Sequence, residues 1–283
     1  MLLPPYPEDG YPDEGWPKPP SISIRENVPI PGSDGLHVDL LEPRNASGPL
    51  PALIWLHGGG WRWGNRRVAM ERLFPLVEAG FLCIPTDYRL SDRAQFPAQL
   101  DDVKRVLQWA ARGPKGLKLD PTRIAVFGGS AGGHLGLLAA LSMPCEIVGC
   151  VAAFAPSDFS TMDDFPATVT SALEHRSPDS CEGRLLGGAL DQRAELARIA
   201  SPISHVRRDA PPILLFHGDC DAVVPVGQSR QLARALRDAG ADVTYHEIPG
   251  GGHSAEGFPP HWIQTVKSWL QQQTAPKDQP PDP

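Results

Sequence analysis

Ser130 stands at the centre of Gly128-Gly129-Ser130-Ala131-Gly132, between the apolar run 123–127 and a helix-like run at 134–141. A chain that swings from a strand end straight into a helix crowds the positions flanking the turn. Glycines there allow a strained serine to project outward. The first turn of the following helix leaves N–H groups unpaired and carries partial positive charge, which suits an oxygen that turns negative as it reacts. The pattern points to a serine nucleophile. A phosphate-cradling loop fits less well, because no Lys follows and no G-x-G-x-x-G register is present. An ordinary glycine-rich turn is the plain alternative, and three other stretches decide between them.

His57-Gly58-Gly59-Gly60-Trp61 follows the apolar run 52–56. Three successive glycines remove every Cβ, so backbone N–H groups can face a reacting oxygen. Gly59 and Gly60, with Ala131 after the serine, are the expected oxyanion donors, and Gly58 shapes the turn. His217-Gly218-Asp219-Cys220-Asp221 follows the strand-like run 212–215 and offers two carboxylates. Gly250-Gly251-Gly252-His253-Ser254 follows the alternating run 243–248. Serine, acid and histidine thus occur in that order, each in a loop just past a strand. A serine hydroxyl is a poor nucleophile at neutral pH. A histidine, with an ordinary pKa near ~6.5, takes its proton while a carboxylate holds the ring in the useful tautomer.

The elements that must position these loops alternate along the chain. An opening antiparallel hairpin is predicted at 21–29 and 36–41. Strands follow at 51–56, 81–87, 123–128, 147–153, 212–217 and 242–248, and helices at 66–79, 97–112, 131–142, 226–239 and 260–272. The class is therefore α/β, a mostly parallel eight-stranded sheet with helices on both faces and ligands at the carboxyl ends of its strands. The stretch 157–210 is too long for a bare loop and reads as a small inserted lid. The first 20 residues hold seven prolines and read as an extended arm; 274–283 reads as a flexible tail, leaving 21–273 as one domain.

Composition sets bounds. With 283 residues and 41% apolar content, one large α/β domain is expected. A net charge of −7 and a pI near 5.7 argue against nucleic acid or an anionic membrane as partner. No apolar stretch approaches the roughly 18–20 residues of a membrane span. The first residues lack a basic segment and a continuous apolar core, so no signal peptide is read and a cytoplasmic protein is expected, a trimmed secreted form being the alternative. Five cysteines are scattered at 83, 145, 150, 181 and 220. Cys83 and Cys150 read as small buried apolar residues. No C-x-x-C or H-E-x-x-H spacing appears, so neither metal nor cofactor is expected.

The chain resembles the α/β-hydrolase carboxylesterases, the group that includes hormone-sensitive-lipase-like esterases and acetyl xylan and feruloyl esterase relatives. The resemblance rests on HGGGW at 57–61, DYRL at 87–90, FPAQLDDV at 96–103 and GGSAGGHL at 128–135. It continues through ASPISHV at 200–206, HGDCDAVVP at 217–225 and GGHS at 251–254. It covers roughly 22–270 and implies an α/β-hydrolase fold and a serine esterase with Ser130 as nucleophile, His253 as base and Asp221, the fifth residue of the H-G-x-x-D loop, as orienting acid. Asp219 is then left to cap the turn. Trp61 and the HGDxD loop lean toward feruloyl and acetyl xylan esterases, and toward the prolyl oligopeptidase catalytic domain; the DPLRD-type acid loop of the hormone-sensitive-lipase side is absent.

The resemblance implies a small-molecule ester as partner, with oligomeric state open. Trp61 and Trp63 flank the oxyanion loop, and Phe159 and Phe165 lie in the insertion; each either contacts substrate or packs against the body. No long amphipathic surface-binding helix occurs in the insertion, which favours a small or medium ester over an emulsified triglyceride. His57, His134 and His217 read as bracing residues, and Arg89 as internally paired. Other readings are a prolyl-oligopeptidase-like peptidase, a lactone or amide hydrolase, and a non-catalytic receptor on the same fold.

Overall fold

The computed structural model describes residues 19–143, 147–165, 173–254, 258–259 and 261–276. Eight strands form one sheet: β1 (Ile22–Pro29), β2 (His37–Pro43), β3 (Leu50–Leu56), β4 (Leu82–Thr86), β5 (Leu119–Gly129), β6 (Ile147–Ala153), β7 (Ile213–Gly218) and β8 (Val243–Ile248). Their order across the sheet is β1-β2-β4-β3-β5-β6-β7-β8. β2 is antiparallel to both β1 and β4, and every later pairing is parallel. This is the α/β-hydrolase fold, as the sequence predicts. The central strands read as near-continuous apolar runs because helices cover both faces: β4 is buried along its whole length, and β3 from Ala52 onward.

Alternation along β3 divides the core. Ala52, Ile54 and Leu56 face one cluster, with α2 (Ala98–Ala111), α3 (Ala131–Ser142) and α6 (Gly227–Asp238). Leu53 and Trp55 face the other, with α1 (Phe74–Glu78) and α7 (Trp262–Gln273). Arg89 forks onto Asp102 of α2 at 2.8 and 2.9 Å, the internal pairing expected of it.

One expectation is revised. The helix predicted at 66–79 shrinks to a 3₁₀ turn at Met70–Leu73 followed by the short α1. Arg66 and Arg67 are drawn instead onto the buried carboxylate of Asp39, and Ala69 adopts φ 56°, which a continuous helix cannot hold. In the stretch 157–210, expected as a lid, several described residues contact the body. Within it α4 (Cys181–Leu186) and α5 (Ala194–Ile199) send Leu185, Leu186 and Ala197 into the larger core cluster. Gln228 of α6 accepts the N–H groups of Ser157 and Asp158, and Phe96 donates to the Leu185 carbonyl at 2.9 Å. At the carboxyl end, Thr274 is buried and its hydroxyl donates to the Leu270 carbonyl; most of the predicted tail and the first 18 residues of the predicted arm lie outside the described residues.

Candidate active site

β5 ends directly in α3, and the residue between them is Ser130, with φ 53° and ψ −123°. This left-handed, strained conformation occurs because the elbow is clamped on all sides. A Cβ on Gly132 would run into the Leu56 carbonyl, and one on Gly128 into the Gly132 backbone. Ser130 N–H donates to the Ala153 carbonyl at 2.9 Å, and His134 N–H donates back to the Ser130 carbonyl at 2.9 Å. Every residue of α3 except Ser142 is buried, so the helix has no solvent face on which to relax. The glycines that cost helix propensity allow this close approach.

The acid loop after β7 and the histidine loop after β8 converge on the serine. His253 Nε2 lies 2.9 Å from Ser130 Oγ, and its Nδ1 lies 2.7 Å from Asp221 Oδ2. Asp221 Oδ1 accepts the N–H groups of Val223 and Val224 at 2.8 and 2.9 Å. Burial pushes the Asp221 carboxyl up, but the charges of and hydrogen bonds from His253 and His217 outweigh it and hold the group well below the usual carboxylate range. Asp219 is spent elsewhere, accepting the Gly250 N–H at 2.7 Å. The two loops are also joined by backbone: Cys220 N–H donates to the Gly251 carbonyl, and a Cβ on Gly218 would collide with that same carbonyl.

The glycine loop after β3 lies beside the elbow. A Cβ on Gly58 would come within 3.5 Å of Ser130 Cβ. Gly59 has φ 117° and its carbonyl accepts the N–H groups of both Arg62 and Trp63, a turn that only glycine makes easily. The N–H groups of Gly59, Gly60 and Ala131 donate to no acceptor among the described residues. Gly59 and Ala131 are buried, and a buried N–H left without an acceptor costs free energy unless one arrives. Ala131 follows the serine directly, and the glycine loop reaches it at Gly58.

Outside this constellation the predicted residues divide. Trp61, 2% exposed, and Phe159, 0% exposed, pack on His134 and on each other in the core, so neither offers a surface to substrate. Their packing reading holds, and their substrate reading is withdrawn. Trp63 is exposed, carries the Arg62 guanidinium over its ring at 4.7 Å, and reaches toward Gly60. Phe165 lies against Gly227, the first residue of α6. His57 stacks on Tyr88 and bonds the Gly58 carbonyl at 2.7 Å, bracing the glycine loop. His134 accepts from Trp61 Nε1 and bonds the Ala200 carbonyl, tying α3 to the insertion. Burial pushes both rings down to a pKa of about 4, so they sit neutral.

Of two further supports, sequence reasoning read His217 as a brace and missed Asp39. His217, fully buried, places Nε2 3.2 Å from Asp221 Oδ2 and 2.9 Å from the Val224 carbonyl, while Ser229 of α6 meets its Nδ1 at 2.7 Å. Only the adjacency of His217 to the acid loop hinted at it. Asp39 of β2, 0% exposed, accepts from Arg66, Arg67 and the Asn27 N–H, and Arg66 also pairs with Asp87. Burial raises the Asp39 carboxyl, yet these partners bring it below its ordinary range. Alternation along β2 sets Asp39 on the face opposite Val38 and Leu40, so the strand pattern alone gave no sign that this carboxylate is buried with cationic partners. Among the described residues no cluster suited to a metal ion occurs, and no helix is long and apolar enough to cross a membrane.

Comparison with known proteins places this geometry among esterases. Over 218 residues the chain is 36% identical to Esterase LipQ of Mycobacterium tuberculosis, covering 72% of this chain and 50% of that protein. It is 34% identical to Esterase LipC of the same organism, covering 72% of this chain and 53% of the relative. The chain therefore spans about half the length of these relatives. A truncated carbohydrate esterase from gut microbiota superposes with a TM-score of 0.80 at 26% identity, covering 89% of this chain and 96% of that one. The BD-FAE family model matches residues 38–236, from the Asp39 strand through the serine elbow and the acid loop to α6, and the chain belongs to the BD-FAE family.

Proposed function

We propose that this chain is a serine carboxylesterase acting on small to medium carboxylic esters. The observation that carries the reading is the relay from Asp221 through His253 to Ser130 at 2.7 and 2.9 Å, set beside three amides without acceptors. Ser130 Oγ attacks the ester carbonyl carbon as its proton passes to His253 Nε2. Asp221, kept ionised, holds Nδ1–H and stabilises the imidazolium. Negative charge gathers on the former carbonyl oxygen, and Gly59, Gly60 and Ala131 N–H groups receive it; one such donor is worth about 10²- to 10³-fold in turnover. The intermediate collapses, the alcohol leaves with the proton from Nε2, and water repeats the cycle on the acyl-enzyme. The esterase relatives support the bond class. The insertion, packed into the body and without a long amphipathic helix among its described residues, supports a dissolved ester over a lipid droplet.

The test is a panel of p-nitrophenyl esters of rising chain length with methyl ferulate, acetylated xylan and an aminoacyl amide, run on the wild type and on Ser130→Ala. Ester turnover should drop by about 10⁴- to 10⁶-fold in the variant while circular dichroism is unchanged. An organophosphate probe should add to Ser130 in peptide mass mapping. Turnover retained by Ser130→Ala removes Ser130 from the mechanism, and cleavage of the amide alone replaces the esterase by a peptidase.

A further inference from the structure

β6 ends on a peptide that is held from both sides. The Ala153 carbonyl accepts the Ser130 N–H at 2.9 Å, and the Phe154 N–H of the same peptide plane donates to the Phe216 carbonyl of β7 at 2.7 Å. Carbonyl and N–H point in opposite directions across a trans peptide, so this one unit ties the serine elbow to the strand that carries the acid loop. The chain then leaves the sheet with Phe154 at φ 42°. A bulky aromatic residue is a genuine outlier there, and such strain persists only where the surroundings fix it. A glycine would hold the same angle without strain, but it would lack the ring.

That ring occupies a space left open by the elbow. A Cβ on Gly129, the residue before the nucleophile, would meet Phe154 Cζ at 3.0 Å and Cε2 at 3.1 Å. Gly129 does not adopt a positive φ, so what the missing side chain provides is room. The same ring meets His253, with centroids 5.0 Å apart and planes at 65°, and Phe258, at 5.9 Å and 77°. Both are T-shaped contacts within the ordinary range for aromatic pairs. Phe154 is 7% exposed, a wedge seated between the residue before the serine and the imidazole that serves it.

The imidazole needs a contact of this kind. Asp221 and Ser130 place its two nitrogens, but hydrogen bonds at two ring atoms leave the ring free to roll about the line between them. Roll carries both nitrogens off the directions of their partners, and a hydrogen bond weakens as its angle closes. The histidine loop does not supply the restraint, since a Cβ on Gly252 would meet nothing within 4 Å. An apolar ring packed on the imidazole limits the roll without competing for either proton.

We propose that Phe154 is a positioning residue for the reaction: seated where Gly129 has no side chain, its ring holds the His253 imidazole in the orientation that takes the Ser130 proton. The inference rests on reading Ser130, His253 and Asp221 as the working triad. The strained angle at Phe154 then belongs to the site, because it sets an aromatic ring from the end of β6 between two loops.

The experiment is a cycle of Phe154→Leu, Gly129→Ala and the double variant, each read as kcat and KM for p-nitrophenyl acetate well below its Tm, with circular dichroism alongside. Phe154→Leu, which stays apolar but loses the ring, should lower kcat about tenfold with KM within about twofold. Gly129→Ala should push the ring off its seat and lower kcat by a similar factor. The smaller side chain relieves that collision, so the double variant should lose much less than the roughly hundredfold of two independent effects. An unchanged kcat in Phe154→Leu, or losses that multiply in the double variant, overturns the proposal. A second measurement needs no ester: the rate at which an organophosphate labels Ser130, followed by peptide mass on folded protein. It should slow about tenfold in each single variant, because the serine still needs its base to react. An unchanged labelling rate overturns the proposal, and should Phe154→Leu not fold, Gly129→Ala decides alone by kcat and labelling. Absence of labelling at Ser130 in the wild type would instead sink the triad reading, so the two failures are distinct.

Discussion

The serine elbow and the histidine loop sit 2.9 Å apart at their tips, yet they are built in opposite ways. The elbow is enclosed. Ser130 holds a strained backbone angle, Gly128 and Gly132 leave no room for a methyl group, and α3 behind it is buried along almost its entire length. The histidine loop is open. A Cβ on Gly252 would meet nothing within 4 Å, and His253 keeps a partly exposed side chain steered by Asp221 and by the edge of Phe154 at 5.0 Å. The contrast follows the chemistry. On the proposed mechanism the nucleophile and the amide beside it must already stand where charge develops, so reorganisation there would add to the barrier. The imidazole must pass a proton first from the serine and then to the leaving group, and a ring pinned as tightly as Ser130 would serve only one of those positions.

Substitutions on the two sides should therefore differ in kind. Gly132→Ala should produce the largest loss: the added methyl meets the Leu56 backbone, and overpacking of that sort costs about 3 kcal/mol or more, a fall of roughly 6–12 °C in Tm by calorimetry. A stable Gly132→Ala protein would mean that the elbow is looser than its packing indicates.

A second contrast lies in the histidines. His57 and His134, buried beside and beneath the elbow, have pKa values near 4, whereas in the unfolded chain they titrate near ~6.5. The unfolded state then binds the extra protons between those values, so stability is full above about pH 6.5, falls as pH drops, and levels off near pH 4. Each ring accounts for about 3 kcal/mol. Urea unfolding at several pH values should trace that fall. His134→Gln should flatten it by about half, and an unaltered slope would show that His134 is not held neutral.

Gly252→Ala, on the open side, should change stability by less than about 0.5 kcal/mol in the same assay. A large loss there would erase the distinction between the two loops.

Much of this was legible in the chain, for reasons that differ by residue. The order of the strands and the placement of Ser130, Asp221 and His253 each at a strand's carboxyl end follow from periodicity and glycine punctuation, which are local signals. The predicted helix at 66–79 failed because a non-local partner, Asp39 some 27 positions earlier, takes up Arg66 and Arg67. The insertion was read as a lid because its length is visible in sequence, whereas its attachment through Gln228, Phe96 and His134 is made by residues far away along the chain. Trp61 and Phe159 carried the same weakness: an aromatic beside a catalytic loop looks alike whether it faces a ligand or a core. His175 and Glu182 form a buried pair seven positions apart, which no spacing rule foretells.

The Asp39 cluster carries a consequence for how the enzyme comes into being. Its carboxylate arrives on the second strand of the amino-terminal hairpin, while the guanidinium groups it gathers lie just past the glycines that receive the oxyanion. Until that hairpin docks, Arg67 lacks both Asp39 and Glu26, and Arg66 is left with Asp87. If Ser130 works as proposed, turnover regained during refolding should coincide with the docking of this hairpin at the sheet edge.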